Sequence, residues 1–114
     1  MIAVIFEAEA HGSERQAYLD AAAALRPLLD KMPGFISIER FESLVKPGKV
    51  LSLSFWQDEE SVKEWRNLEA HRAIQLAGRE RIFVDYRLRV AAVLRDYGMR
   101  QREQAPQDSR LRRP

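Results

Sequence analysis

The first predicted strand, residues 2–9, alternates between two faces with period two. One face carries Val4, Phe6 and Ala8, and the residues between them form a second face that is also apolar at its start. Apolar residues on both faces are typical of a strand that is covered on both sides. We therefore expect this strand to be central in a sheet.

A period of three to four residues follows and predicts a first helix over residues 14–32. Ser13, with Gln16 three residues later, predicts a capping box at its start. Pro27 lies inside this segment, where it removes a backbone hydrogen bond and clashes one turn back. We therefore expect a kink near residues 23–24, or two shorter helices that meet there.

The remaining elements are predicted as a hairpin, a second helix and a last strand. The stretches "FISIERFES" and "VLSLSFW" alternate with period two, and the turn "KPGK" joins them. Asp58 is a suitable N-cap for a second helix that ends at Gly78. In the last stretch, "DYRLRVAAVLRDY", Arg87 and Arg89 fall on the face opposite Leu88.

The element order β-α-β-β-α-β is that of the ferredoxin-like plan. It predicts an α+β fold with a four-stranded antiparallel sheet and both helices on one face. The uncovered face is predicted to carry Ser52, Ser54 and Trp56, or the residues that alternate with them, and either set is too apolar for a large wet patch. We therefore expect a homodimer in which a partner chain lays its own sheet on this face.

Composition and charge narrow the possible functions. The 114 residues suit one domain, and the absence of cysteine excludes disulfides, thiolate metal sites and cysteine nucleophiles. Residues 99–114 carry five arginines against Glu103 and Asp108, a net charge of +3, so residues 1–98 carry −1 of the total +2. The folded domain is therefore expected over 1–98, without a nucleic-acid-binding core. The basic end is expected to be a disordered tail, with nonspecific contact to phosphate as the alternative.

The sequence contains no pattern typical of a metal site, a membrane span or a phosphate loop. Its two histidines, His11 and His71, are sixty residues apart, which is not a ligand spacing. The apolar run at the amino terminus is too short for a span or a signal segment, so a cytoplasmic location is expected. No Gly-rich loop and no Ser-His-Asp arrangement is present.

Three stretches resemble the antibiotic biosynthesis monooxygenase family of dimeric α+β barrel proteins. They are "GFISIERFES", "LSLSFWQDEESVKEWRNLEAHR" and "YRLRVAAVLRDY", and the resemblance extends over residues 1–98. It implies a homodimeric barrel and a monooxygenase reaction. Members of the family include oxygenases without a cofactor that act on phenolic polyketides, haem-degrading enzymes and proteins that modify quinones.

Trp65 and His71 are the candidate residues of the second helix. They are six residues apart, about 600° around an unbroken helix, so their directions differ by about 120°. Only a break near Asn67–Leu68 would turn His71 toward Trp65. Trp65 is either a core anchor or a pocket wall whose indole N–H faces the substrate. His71 is either a surface or capping residue or a proton acceptor.

The resemblance allows a haem-degrading reaction to be compared position by position. The haem-degrading members carry an asparagine on the first strand, a tryptophan on the second helix and a histidine ligand ten residues after it. In this sequence the first strand offers Phe6 and Glu7, the tryptophan is Trp65, and the ligand position holds Gln75. One match in three makes haem degradation the weaker alternative.

An oxygenase without a cofactor must deprotonate its substrate and stabilise the resulting anion in a dry pocket. Suitable groups are Trp65, which the resemblance implies, an arginine of the last strand, Arg87 or Arg89, for the anion, and His71 or a tyrosine for the proton. For the two arginines, exposure to solvent or pairing with Glu39 or Asp85 is an equal alternative. The expected substrate-binding residues, for a small aromatic or other apolar ligand, are Phe6, Phe55, Trp56 and Arg89.

One departure from the family pattern leaves the substrate and the activity open. The polyketide oxygenases carry an asparagine four residues before the helix tryptophan, where this sequence has Ser61. A cofactor-independent monooxygenase acting on a phenol or quinol is the favoured hypothesis. A non-enzymatic dimer that binds a small ligand is the alternative.

Overall fold

Four antiparallel strands form one sheet in the order β2-β3-β1-β4. The computed structural model describes residues 1–68, 71–73, 76 and 82–110. The strands are β1 (Ile2–Ala10), β2 (Phe35–Glu42), β3 (Lys49–Trp56) and β4 (Phe83–Ala92). β1 is central, as predicted, because it pairs with β3 on one side and with β4 on the other.

Two helices connect the strands, α1 (Arg15–Asp30) and α2 (Glu59–Asn67). A short 3₁₀ helix, Gly12–Glu14, precedes α1, and a four-residue helix, Gln107–Arg110, lies near the carboxyl end. The order of the elements and the antiparallel sheet confirm the predicted ferredoxin-like α+β fold. Within the described residues, no helix is long and apolar enough to cross a membrane.

Both helices pack on the same face of the sheet. Tyr18 of α1 belongs to one buried cluster that includes Val50 of β3. Leu29 of α1 and Val62 of α2 belong to a second cluster around Trp56, which is only 1% exposed. Of the two alternatives for the uncovered face, the structure therefore selects the second: Ser52, Ser54 and Trp56 face the helices, and Leu51, Leu53 and Phe55 face away.

The beginning of α1 differs from the predicted capping box. Ser13 lies in the 3₁₀ helix, and the N-cap residue of α1 is Glu14, without a side-chain cap. The amide of Gln16 donates instead to the carboxylate of Asp20, 2.9 Å away. The side chain of Gln16 therefore bonds within its own helix and does not cap the helix start.

Pro27 does not divide α1, which is continuous over 16 residues. The expectation of two shorter helices was therefore wrong. Ala23, whose carbonyl loses its donor at Pro27, is exposed, so water can satisfy this oxygen. Leu29, two residues after the proline, remains buried in the core at 3% exposure.

The start of α2 follows the prediction. The carboxylate of Asp58 accepts hydrogen bonds from the backbone N–H and the hydroxyl of Ser61, each 2.8 Å long. These bonds stabilise the charged form and hold the pKa of Asp58 below its ordinary value. The predicted end of this helix at Gly78 lies outside the described residues.

The last strand is shorter than predicted, since β4 ends at Ala92 and residues 93–98 form no regular element. The region after residue 98 has some local structure, because the guanidinium of Arg102 donates to the carbonyl of Ser109 and lies 5.2 Å from the ring centre of Tyr97. The predicted domain boundary at residue 98 remains a prediction.

The turn before β2 provides a test of the packing between α2 and the sheet. Gly34 has φ +83°, and a Cβ atom built on it collides with the side chain of Ser61. Gly48, in the hairpin turn, has φ +87° but no atom within 4 Å of such a Cβ. We expect Gly48→Ala to lower the free energy of unfolding by about 1–2 kcal/mol, the cost of the left-handed backbone alone. Gly34→Ala should cost roughly 1–3 kcal/mol more, because it adds overpacking.

Urea denaturation of the two variants measures this difference. Equal losses of stability would contradict the close approach of Gly34 to Ser61.

Candidate active site

A cavity of about 360 Å³ lies between the sheet and the two helices. This volume is at the lower end of the range for small-molecule sites. Its wall contains six aromatic side chains, and these are Phe6, Tyr18, Trp56, Trp65, Phe83 and Tyr86. An aromatic wall offers flat stacking surface and few polar groups.

The aromatic rings hold each other in place at one end of the cavity. Phe6 meets Phe83 edge to face at 5.6 Å between ring centres, and Tyr18 meets Phe83 in the same way at 5.3 Å. Such pairs add about 0.5–1.5 kcal/mol each beyond the area they bury. Tyr86, on the edge strand β4, lies 5.7 Å from Phe6 and is 42% exposed, so the aromatic wall reaches the surface there.

The other end of the cavity is organised by a break in the second helix. The helix α2 stops at Asn67, and Leu68 adopts extended backbone angles, φ −63° and ψ 129°. Residues 71–73 are helical again. This is the position at which a break was expected to be necessary if His71 is to approach Trp65.

His71 stacks on Trp65. The ring centres lie 4.6 Å apart, with an angle of 21° between the ring planes. The Nδ1 atom of His71 lies 3.2 Å from the carbonyl oxygen of Trp65. Because a carbonyl oxygen only accepts, Nδ1 must carry the proton in this hydrogen bond. In the neutral ring, Nε2 is then the basic nitrogen.

Burial favours the neutral form of His71. Desolvation lowers its pKa below the ordinary value of 6.5, and the hydrogen bond to the carbonyl of Trp65 opposes this effect less strongly. The neutral form of the imidazole therefore predominates at pH 7. The aromatic stack and the carbonyl thus present a neutral base with a defined tautomer at the cavity wall.

Trp56 forms the floor beneath this pair. Its ring centre lies 6.3 Å from that of Trp65, and its indole N–H donates to the hydroxyl of Ser54 at 3.0 Å. Its own polar atom is therefore occupied within the protein. Trp56 contributes shape and apolar surface to the cavity.

The structure brings together four of the seven predicted site residues. Phe6, Trp56, Trp65 and His71 line the cavity. Their action on a substrate remains a prediction.

Phe55, Arg87 and Arg89 are placed differently, on the opposite face of the sheet. Arg87 is paired across the strands with Glu7, which alternates with the cavity residue Phe6. Phe55 is paired with Ala3 of the same outward face. These three side chains therefore do not reach the cavity of the chain.

Arg89 takes part in an ion network on that outward face. Its guanidinium lies 3.4 Å from the carboxylate of Glu7, and the ammonium of Lys49 lies 3.5 Å from the same carboxylate. Lys49 and then Arg89 hold the pKa of Glu7 below its ordinary value. Pairing of Arg89 was expected as an alternative, but with Glu39 or Asp85 as the partner.

Sequence reasoning missed the arginines that do line the cavity, Arg26, Arg40 and Arg66. Arg40 of β2 is paired with Ser52 of β3 and so shares its face. The period of two along β2 puts Arg40 on the same face as Ile38. The sequence did not decide whether this face or the opposite one meets the helices. Assigning Ser52 to the helix face would have moved Arg40 into the cavity wall.

Two further positions bear on the reaction. Ser61, which replaces the asparagine of the polyketide oxygenases, is buried at the start of α2 and donates its hydroxyl to Asp58. Gln75, at the position of the haem ligand, lies outside the described residues. Among the residues that the structure describes, no three His, Cys, Asp or Glu side chains form a group that could hold a metal ion.

These features define a class, the ferredoxin-like α+β proteins with an aromatic cavity between sheet and helices. Residues 1–76 match the family model of the antibiotic biosynthesis monooxygenases. The chain therefore belongs to this family.

Two curated relatives resemble the chain over most of its length. The jasmonate monooxygenase ABM of Pyricularia oryzae is 46% identical over 93 residues, 82% of this chain and 43% of that protein. The uncharacterized protein YqjZ of Bacillus subtilis is 28% identical over 76 residues, 67% of this chain and 65% of that protein. The chain thus spans less than two thirds of the length of either relative.

Solved structures share the fold at low sequence identity. A protein from Deinococcus radiodurans has a TM-score of 0.77 at 12% identity, covering 86% of this chain and 97% of the other. Rv0793 from Mycobacterium tuberculosis has a TM-score of 0.75 at 18% identity, covering 85% of this chain and 98% of the other. At these identities the likeness concerns the fold alone.

Titration of His71 tests the described environment. We expect its NMR titration midpoint below 6.5, because burial disfavours the imidazolium. His71→Gln identifies the resonance. Trp65→Ala should move the midpoint upward, since it removes the ring that shields the imidazole from water.

The same shift affects stability with a defined sign. The unfolded chain binds a proton at His71 more readily than the folded chain, so this contribution to stability is complete above pH 6.5. It is lost as the pH falls from 6.5 toward the folded pKa. A midpoint above 6.5 in the wild-type protein would contradict the burial of this ring.

Proposed function

We propose that this chain is a monooxygenase that oxidises a small aromatic substrate of the phenol or quinol type without a bound cofactor. The observation that carries the proposal is the pair of His71 and Trp65 at the cavity wall. A neutral imidazole with Nδ1 hydrogen-bonded to the Trp65 carbonyl can accept a proton only through Nε2. This is the state that a general base needs at neutral pH.

The proposed reaction begins with transfer of the phenolic proton to Nε2 of His71. The resulting anion carries electron density on a ring carbon, which reacts with O₂. O₂ adds to this carbon as a peroxide, and loss of the carbon's own hydrogen as a proton then breaks the O–O bond. One oxygen atom stays on the carbon and the other leaves as water, so that phenol and O₂ give quinone and water. The substrate supplies all four electrons for the reduction of O₂, and the imidazolium returns its proton to the departing oxygen.

The cavity supports this chemistry by excluding water around the anion. Apolar walls strengthen each electrostatic contact that the anion makes. The indole of Trp65 makes no hydrogen bond to any of the described residues, so its N–H is available to a substrate oxygen. The ring also provides a flat surface against which an aromatic substrate can stack.

The relative from Pyricularia oryzae supports an oxygenase, since its name describes it as a jasmonate monooxygenase. Jasmonate is accordingly a substrate to test beside phenols and quinols. The alternative of a non-enzymatic ligand-binding protein is favoured by Ser61, because the asparagine of the polyketide oxygenases is replaced there by a residue occupied in capping. Oxygen consumption distinguishes the two.

We also propose that two copies pair through the uncovered faces of their sheets. In the described part of the chain, both helices lie on the cavity face. Ile5, Leu53 and Phe55 of the outward face are only partly buried, and Phe41 is 44% exposed. A second sheet would remove this apolar surface from water.

The role of His71 is tested by measuring oxygen uptake with a panel of phenols, quinols and jasmonate. His71→Gln should lower kcat by about 10²–10⁴, the usual contribution of a general base, while the fold is kept. His11→Gln, an exposed histidine before α1, is the matched control and should retain the wild-type rate. In the wild type, kcat/KM should fall on the acid side with a midpoint below 6.5.

An unchanged kcat in His71→Gln would exclude this residue as the base. Oxygen uptake that requires added flavin, iron or haem would reject the mechanism without a cofactor.

The dimer is tested by sedimentation equilibrium. The wild-type protein should have twice the chain mass of 13.2 kDa at micromolar concentration. Leu53→Glu places an unpaired charge in the proposed interface and should weaken association at least about a hundredfold, equivalent to roughly 3 kcal/mol. Leu28→Glu, on the outer side of α1, is the control, because Leu28 is already 38% exposed on the helix side of the sheet. A wild-type monomer at these concentrations would contradict the proposal.

A further inference from the structure

The charged groups of the cavity wall are all cationic. They are the guanidinium groups of Arg26, Arg40 and Arg66, whereas the His71 imidazole is neutral, and no Asp or Glu is among the described lining residues. The charge of Arg26 is balanced by Asp30, whose carboxylate lies 2.9 Å away. Arg40 and Arg66 form no ion pair with any described residue. Arg40 and Arg66 are both exposed, so their guanidinium groups are free to contact an anion that enters the cavity.

Arg40 is placed where it can share an anion with a second donor. It lies on β2 directly across from Ser52 of β3, and both side chains face the cavity. Side chains paired in this way have Cβ atoms about 4.5–5.5 Å apart, close enough for two donors to contact one carboxylate. Ser52 as a residue is only 8% exposed, whereas Arg40 is exposed to solvent at the sheet edge.

This pair is separated from the candidate base by a distance that the sheet sets. Ser52 and Trp56 are four residues apart on β3, about 13 Å along an extended strand. The ring of Trp65, with His71 stacked on it, lies over Trp56 at 6.3 Å between ring centres. A ligand that reaches both places must therefore be elongated, with its polar group at one end.

We propose that the cavity recognises an elongated apolar molecule with a terminal carboxylate, which Arg40 and Ser52 bind while the oxidisable end lies against Trp65 and His71. This inference rests on the proposed function, because it assigns the substrate class of the same site. The apolar wall selects the body of the molecule. Arg40 selects the acid over its neutral analogues, since a guanidinium binds a carboxylate through two parallel hydrogen bonds.

The test compares two probes that differ only in the charged group, 6-phenylhexanoate and 6-phenylhexan-1-ol. Their dissociation constants are measured by calorimetry on the full chain, with quenching of tryptophan fluorescence as a second readout. The wild-type protein should bind the acid about tenfold more tightly, a modest factor because Arg40 is partly hydrated. Phenylacetate should bind more weakly than 6-phenylhexanoate, because it is too short to reach both ends.

Arg40→Met should abolish the preference for the acid and leave the affinity for the alcohol unchanged. Arg40→Lys should retain part of the preference, since the charge remains without the two-pronged geometry. Lys63→Met removes the same charge from an exposed position of α2 outside the cavity wall, and should bind both probes as the wild type does.

The outcomes separate this inference from the proposed function. Equal affinity for acid and alcohol, or a preference that survives Arg40→Met, would overturn the assignment of Arg40 even if oxygen is consumed. An acid preference that depends on Arg40, without oxygen uptake on any substrate, would support the assignment and reject the monooxygenase. Failure of both probes to bind at millimolar concentration would also overturn the inference.

Discussion

The candidate site depends on one carbonyl oxygen, that of Trp65. It accepts the backbone N–H of Leu68 at 3.1 Å and is contacted by Nδ1 of His71 at 3.2 Å. In an unbroken helix this oxygen would accept from residue 69, and His71 would point about 120° away from Trp65. The same atom thus ends α2, turns the imidazole onto the indole and fixes which nitrogen carries the proton. Without it, the cavity would have a tryptophan wall but no base beside it.

The break could not be read from the sequence because no helix breaker marks it. Residues 65–72 contain neither glycine nor proline. The turn is held instead by contacts between residues whose types also occur inside helices: the guanidinium of Arg72 donates to the side-chain oxygen of Asn67 at 2.6 Å, and the backbone N–H of Arg72 donates to the carbonyl of Leu68 at 3.0 Å. By contrast, the first three strands and the Asp58 cap follow from period and local chemistry, so they were predicted correctly.

A second limit of the sequence concerns the two faces of the sheet. Period two states which residues share a face, but it does not state which face meets the helices. The substrate-binding and anion-stabilising roles predicted for Phe55, Arg87 and Arg89 required the cavity face, and the structure places them on the other. The burial of Trp56 decides the matter, because its indole fills the space under α1 and α2 and brings every second residue of β3 with it. The face of the sheet that meets the helices therefore decides which arginines line the cavity: Arg40 of β2 does so, and the arginines of β4 do not.

The two faces also differ in how their charges are balanced. On the outward face, Glu7 is neutralised by Lys49 and Arg89, so a second copy could cover this region without burying an isolated carboxylate. On the cavity face, Arg40 is exposed and has no such partner among the described residues, so its charge is open to solvent or to a ligand in the cavity. Neighbouring residues of β1, Phe6 and Glu7, belong to these two environments. A charge that is paired within the chain is compatible with a permanent interface, whereas an unpaired charge is compatible with reversible binding of a ligand.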